Sequence, residues 1–271
     1  MTPGRYQSFE AVAGDYDQTR VIPETLLSEI ARILAREACL ERGGLFLDAG
    51  VGTGRFAAHL ARSFPTQIIG VDVAPAMMAR IQSKTVPGRL SLAQADLQRL
   101  PFSEGTFSGA LLVHILHLIE QWPLVLREIR RVLVPTTGVL FLGIEMGGRS
   151  KLVDFYYEQA RARALLPPSL GTAGIAQTLA YLNRPEREGG GGAEVRLLET
   201  PRLAWRRVVP TTRTLEALRR RTYSQMWAIP DAAHQELLAE TLNCARRIFR
   251  RPDAVEALQS RFVLHAVRWI V

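Results

Sequence analysis

The chain reads as an α/β protein with a doubly wound parallel sheet, and three observations carry that assignment. Between residues 45 and 144, short apolar runs alternate with amphipathic helical stretches, the rhythm of strands covered on both faces by crossover helices. The first run passes directly into a glycine-rich turn, Asp48-Ala49-Gly50-Val51-Gly52-Thr53-Gly54, that opens a helix. Carboxylates then stand at the ends of three successive runs: Asp48, Asp72 and Asp96.

Taken in order, residues 6–20 are irregular, and residues 23–40 form an amphipathic helix with Leu26, Leu27, Ile30, Ile33 and Leu34 on one face. Five strands are predicted at residues 45–49, 67–72, 90–95, 107–113 and 138–144, none with an internal proline. Helices at 55–64, 76–85 and 123–134 lie between them, with Pro75 placed where a first-turn proline belongs. The motif Pro135-Thr136-Thr137-Gly138 stops the third of these helices. Residues 151–182 read as helical, and residues 184–192 as a charged loop ending in four glycines, expected to be mobile. Two further strands, 203–209 and 261–270, are separated by helices 214–223 and 231–249.

We expect one domain over 1–271: an N-terminal lid and helix (1–40), a core (45–145), a helical insertion capping an acceptor site (151–195), and C-terminal strands and helices (202–271). A chain of 271 residues, 47% hydrophobic and 22% charged, excludes a disordered, fibrous or disulfide-stapled protein. The longest apolar stretch, 107–119, is too short to span a bilayer and contains His114 and His117. No integral membrane segment is expected, and with no signal layout the protein is expected to be cytoplasmic. Cys39 and Cys244 stand in no metal or redox spacing, so no metal site is predicted. The net charge of +8 comes mostly from arginine, since Lys84 and Lys151 are the only lysines. The arginines are scattered in pairs and form no dense tract, which favours a compositional bias over a polyanion-binding face.

The glycine turn admits a ligand close to the backbone. It is not a dinucleotide fingerprint, because Arg55 stands where the third glycine belongs, and it lacks the Gly-Lys-Ser/Thr of a P-loop. Asp48 at the strand end can accept from a cationic ammonium or hold the turn, whereas it would repel a phosphate. Eighteen residues past Gly54, Asp72 ends the second strand beside this turn, where a carboxylate suits a ribose diol. Asp96 can accept from an exocyclic amine such as adenine's. Each carboxylate alone also reads as a cap or turn former.

The stretches LDAGVGTGRF, IIGVDVAPAMMARI, QADLQRLPF, FSGALLVHILHLIEQW and LREIRRVLVPTTGVLFLG resemble the class I S-adenosylmethionine-dependent methyltransferases, in the small-molecule branch that includes quinone-biosynthesis enzymes (methyltransferase type 11). The resemblance covers residues 9–145. It implies a Rossmann-like seven-stranded sheet in order 3-2-1-4-5-7-6, with strand 7 antiparallel and a helical insertion between strands 5 and 6. It also implies S-adenosylmethionine as cofactor and S-adenosylhomocysteine as product. By the same resemblance Asp48, Ala49, Gly50, Gly52, Thr53 and Gly54 surround the methionyl part. Asp72 then meets the ribose, Val73 and Met77 the adenine face, and Asp96 with Leu97 the adenine edge. Val113 completes the cofactor contacts, and Tyr16 and Arg20 on the leading segment stand near the cofactor carboxylate or on an ordinary charged helix face. Relatives usually read Pro-Gly-Gly where this chain has Pro135-Thr136-Thr137-Gly138.

Methyl transfer is an in-line displacement, so the protein must align the partners and exclude water; a base is needed only where the acceptor arrives protonated. His114 and His117, after the fourth strand, are the candidate bases, with strand capping or packing against the cofactor as their alternative. The aromatic cluster Phe155-Tyr156-Tyr157 in the insertion suits a small, partly apolar acceptor or simply packs that helix down. Two other functions compete. A nucleic-acid methyltransferase is motivated by the basic charge but lacks an Asn/Asp-Pro-Pro-Tyr-type motif after strand four. A non-catalytic cofactor-binding regulator is the other.

Overall fold

The computed structural model describes residues 21–81, 88–166, 174–198, 203–249, 251 and 254–269. Tyr16 and Arg20 lie outside them. Along the chain run α1 (Glu24–Glu37), β1 (Leu45–Ala49), α2 (Arg55–Ser63), β2 (Gln67–Asp72), α3 (Pro75–Ala79), β3 (Leu90–Gln94), β4 (Phe107–Val113), α4 (Trp122–Val132) and β5 (Val139–Gly147). Then follow α5 (Lys151–Ala162), α6 (Ile175–Asn183), β6 (Glu194–Leu198), β7 (Ala204–Pro210), α7 (Thr211–Arg219), α8 (Asp231–Ile248) and β8 (Val255–Arg268).

Alternation along each strand sends successive side chains to opposite faces. Phe46, Leu111 and Phe141 join Phe262, α1 and α2 in one core; Leu47, Ala110, Leu112, Leu140 and Leu142 join α4 and Leu182 of α6 in the other. Of the parallel strands β3-β2-β1-β4-β5, the central β1 and β4 and the first half of β5 are buried on both sides, whereas β3 at the edge is half-buried to exposed. β8 adds antiparallel to β5, from Leu140↔Val267 to Gly147↔Ser260.

The sheet has eight strands where seven are expected. β6 and β7 share one edge of β8, because Ser260 and Arg261 pair with β5 on one side and with β7 on the other. The sixth strand of the expected order is therefore present in two pieces. Leu198 pairs with Leu264 and Ala204 with Arg261, and residues 199–202 between the two pieces lie outside the described residues. The first piece was hidden from the sequence by its position, since Glu194 and Arg196 on an exposed edge blur the apolar pattern.

Other boundaries move as well. α3 is a five-residue helix, and the rest of the predicted 76–85 segment passes out of the described residues. The predicted 151–182 helix resolves into α5 and α6, which go to different places. α6 packs on the sheet through Leu179 and Leu182, whereas α5 joins α7 and α8 in a third core around Tyr156, Leu218, Met226 and Leu237. The cap is thus built from the insertion and the C-terminal helices together. It is latched to the sheet by Glu256 of β8, whose carboxylate accepts from Ser150 and, at 2.9 Å, from the backbone N–H of Lys151 at the start of α5. The glycine run is hydrogen-bonded in place: Gly191 N–H donates to Tyr181 at 2.7 Å and its carbonyl accepts from Trp269 Nε1 at 2.8 Å.

Candidate cofactor and acceptor site

The strand order reverses between β1 and β4, and the crevice outside their carboxyl ends is where open α/β sheets bind ligands. The glycine turn enters that crevice from β1. Gly50 and Val51 N–H both donate to the Val71 carbonyl, at 2.8 and 2.9 Å. Gly52 N–H donates to Asp72 Oδ2 at 2.8 Å, and the other oxygen accepts from Ala74 N–H at 2.9 Å. Asp72 therefore fastens the first turn to the second. Gly50, Gly52 and Gly54 have φ of 81°, 54° and 76°, which glycine adopts without strain. A Cβ on Gly54 would come within 2.8 Å of Ile81, so helix and turn are in close contact there.

Asp48 points inward. It is 3% exposed, accepts from Ala57 N–H at 3.1 Å in the first turn of α2, and so caps that helix from the preceding strand. Burial pushes its carboxyl up to about 7; the Ala57 hydrogen bond opposes this, the negative Asp72 adds to it and Arg55 opposes it. Asp96 is exposed, and its Oδ1 accepts from Gln98 N–H at 2.9 Å, closing its own turn. The loop beyond it is held by Glu128 of α4, which accepts from Leu100 N–H at 2.9 Å, while Arg131 donates to the carbonyls of Phe102 at 2.9 Å and Leu100 at 3.2 Å. The Arg131 guanidinium keeps the Glu128 carboxyl below its usual range.

A cleft of about 430 Å³ collects Gly50, Asp72, Val73, Asp96, Leu97 and Ile115. Five of these are predicted cofactor residues; Ile115 is an addition. Met77 is buried beneath the turn, its Cε the nearest atom, at 3.5 Å, to a Cβ placed on Gly52. Ala49 and Thr53 are buried in support, and Val113 is half-buried in the ladder opposite Gly143.

A larger cavity of about 890 Å³ lies between the ends of β5 and β7 and the cap, and includes His114, Glu145, Arg207, Arg213, Tyr223 and Leu258. His114 lines the larger cavity, and its neighbour in the chain, Ile115, lines the cleft. His114 has a left-handed φ of 52°, and its Nε2 accepts from Glu145 N–H at 3.0 Å, so the neutral ring carries its proton on Nδ1. His117 follows on the 3₁₀ turn Leu116–Leu118, half-buried, between the cleft residues Ile115 and Ile119.

Glu145 was missed because the predicted strand stopped at residue 144. Its side chain is 9% exposed, Oε2 makes no hydrogen bond, and Arg55 stands 3.9 Å away. The signal was present in the sequence, since Glu145 is one more carboxylate at a strand's carboxyl end. Among the described residues no group of three or more His, Cys, Asp or Glu could hold a metal ion, and no helix is long and apolar enough to cross a membrane.

Residues 47–142 match the model of the methyltransferase domain family. Over 178 residues the chain is 29% identical to a ubiquinone/menaquinone biosynthesis C-methyltransferase of Syntrophotalea carbinolica, covering 64% of this chain and 74% of that protein. Over 137 residues it is 31% identical to a malonyl-[acyl-carrier protein] O-methyltransferase of Halorhodospira halophila, covering 50% of this chain and 46% of that one. Among solved structures, a protein of Anaeromyxobacter dehalogenans assigned to the type II methyltransferases superposes with a TM-score of 0.62 at 20% identity, over 92% of this chain and 97% of that one. The sheet order, the reversal crevice and the glycine turn define a class I transferase fold. Residues 47–142 thus carry a methyltransferase domain, and these similarities support a class I S-adenosylmethionine-dependent methyltransferase of the small-molecule type, with S-adenosylmethionine as cofactor. The residues present fit that group: the turn offers bare backbone at Gly50 and Gly52, and the cleft beside it pairs a half-buried carboxylate with apolar walls.

Proposed function

We propose that this chain methylates a small, partly apolar acceptor bound in the larger cavity, with the cofactor in the cleft beside the glycine turn. The observation that carries this is that the consecutive residues His114 and Ile115 line the larger cavity and the cleft, the latter beside the turn that Asp72 fastens. In this arrangement Asp72 accepts from the ribose hydroxyls, Val73, Leu97 and Ile115 sandwich the base, and Asp96 accepts from its amine. Ala49, Gly50, Gly52, Thr53 and Gly54 shape the turn around the methionyl part, Met77 supports it from below, and Val113 sets the end of β4.

S-adenosylmethionine supplies an electrophilic methyl carbon on a sulfonium. The chain's own residues hold the acceptor in line with that carbon and keep water out. A hydroxyl acceptor turned toward that carbon would need a side chain of the site to take its proton. His114 Nε2 is occupied by the Glu145 N–H, so His114 serves as a donor through Nδ1. Glu145 faces the cavity as a buried carboxylate suited to take the proton, with His117 as the neighbouring alternative. The arginines of the third core and of α6's loop pair locally, for example Arg221 with Asp231 at 2.8 Å and Arg219 with Glu216 at 2.7 Å, which supports a compositional origin for the basic charge over a nucleic-acid face.

A thermal-shift titration tests the cofactor half. S-adenosylmethionine and S-adenosylhomocysteine at about a hundredfold over their dissociation constants stabilise by about 2.7 kcal/mol, and nicotinamide dinucleotides do not. Asp72→Ala is expected to weaken binding by about 1.5–3 kcal/mol, the loss of a charge-assisted hydrogen bond. Unchanged affinity in that variant removes Asp72 from the site.

A further inference from the structure

The larger cavity has a polarity that its chemistry must use. At the cofactor end stand Glu145 and His114. At the far end, along β7 and the start of α7, stand Arg207 and Arg213, with Arg149 and Arg220 also on the wall. Arg149 is paired with Asp154 at 2.6 Å and Arg220 with Glu216 at 2.6 Å. Arg207 donates to the Gly148 carbonyl at 3.1 Å, which aims its guanidinium across the mouth of the cavity. Arg213 has no ion pair among the described residues.

Two independent features make this end attractive to an anion. Four guanidinium groups outnumber the two carboxylates, Glu145 and Glu216, on the cavity wall. In addition, α7 begins there with no side-chain cap and no acidic residue in its first turn, and it places the cationic Arg213 in that turn. A cation at a helix N-terminus is opposed by the helix dipole, and a bound anion relieves both at once. Between the two ends the wall is apolar, with Val209, Pro210, Leu258 and Tyr223. Gly148, which Arg207 grips, lies three residues on from Glu145, just past the end of β5.

We infer that the acceptor is an amphipathic acid: a carboxylate or phosphate monoester held by Arg207 and Arg213, an apolar body on Val209, Pro210 and Leu258, and a nucleophilic atom turned toward Glu145. This rests on the cofactor lying in the cleft beside the glycine turn, as proposed above. Discrimination comes from the guanidinium fork, which matches planar carboxylate and phosphate oxygens with paired N–H donors.

The probes are 4-phenylbutyrate, 4-phenylbutyl phosphate and the uncharged 4-phenylbutanol, titrated by calorimetry and thermal shift into the chain saturated with S-adenosylhomocysteine. We expect one or both anions to bind at least roughly tenfold more tightly than the alcohol, with the advantage shrinking in 0.5 M salt. The stronger of the two anions identifies the headgroup. In Arg207→Gln/Arg213→Gln the anion advantage is lost while S-adenosylhomocysteine binding is retained; Arg187→Gln, which removes an exposed arginine elsewhere, keeps it. Arg213→Gln alone, an exposed change that leaves the fold intact, loses several-fold and stands in if the double variant does not fold. Equal binding of alcohol and anions, or anion binding that survives in Arg213→Gln and the double variant, overturns the inference and leaves the cofactor assignment standing. Failure of S-adenosylhomocysteine to bind the unaltered chain overturns both.

Discussion

Asp48 shows how much one side chain's surroundings decide. Its carboxyl is raised to about 7 by burial, so near neutrality it is about half protonated in the free protein. A cationic ammonium placed beside it favours the ionised form, so binding releases a proton. Cofactor affinity is then expected to fall by up to about tenfold per pH unit below pH 7 and to level off above it. Calorimetric dissociation constants between pH 5.5 and 8.5 measure this. Asp48→Asn should flatten the profile, and a profile that keeps its slope in that variant assigns the proton elsewhere. The three carboxylates looked alike in the sequence, each at a strand's end. The structure separates them: Asp48 caps α2, Asp72 ties two turns together, and Asp96 closes its own loop. Their positions followed from the strand pattern, but their burial depended on what α2 and α3 brought against them. The departure at Thr136 also resolves at this scale. Its φ of 63° is the left-handed conformation that glycine adopts without strain, and here a β-branched residue carries it.

Among the elements, α5 is the clearest case of tertiary control. Its amphipathic pattern was legible, as was a cap over the sheet's edge; its latch was not, because Ser150 and Glu256 are 106 residues apart. Glu256 is 6% exposed and satisfies the first turn of α5 from the neighbouring strand. Glu256→Ala leaves those donors buried without an acceptor and is expected to cost about 1–3 kcal/mol in urea denaturation. Gly148, Arg149 and Ser150 border the larger cavity, so the same variant should weaken binding there while changing S-adenosylhomocysteine affinity less than twofold. Equal losses at both sites would mean that the latch supports the whole sheet edge. The split of the sixth strand belongs here as well, since periodicity marks apolar runs and a short exposed edge piece carries few of them.

At the scale of the whole molecule, three cores share one chain, and two of its buried histidines are held below their ordinary basicity. His234 lies in the cap against Tyr156, at 2.7 Å, and His265 lies in the sheet; burial lowers both below the ordinary histidine value. The unfolded chain therefore takes up protons near pH 6.5 that the folded one refuses, so stability falls as pH drops through that region. The slope is up to about 1.4 kcal/mol per pH unit for each histidine. Asp48 works in the opposite sense, because its raised value makes the folded state the better proton acceptor between about pH 4 and 7. The histidine part is isolated by comparison: from pH 7 to 5.5 the urea midpoint of His234→Gln is expected to lose less, or gain more, than that of the unaltered chain. Local order, strand by strand, was determined by the sequence alone: the period of the apolar residues, the glycine turn and the carboxylates at strand ends are short-range properties that no folding partner needs to supply. The larger cavity was decided only by the tertiary structure. Glu145, Arg207, Arg213 and Leu258 come from four elements spread over more than 110 residues, and their meeting depends on β8 joining two edges of a sheet, a long-range pairing that leaves no periodic trace in the chain.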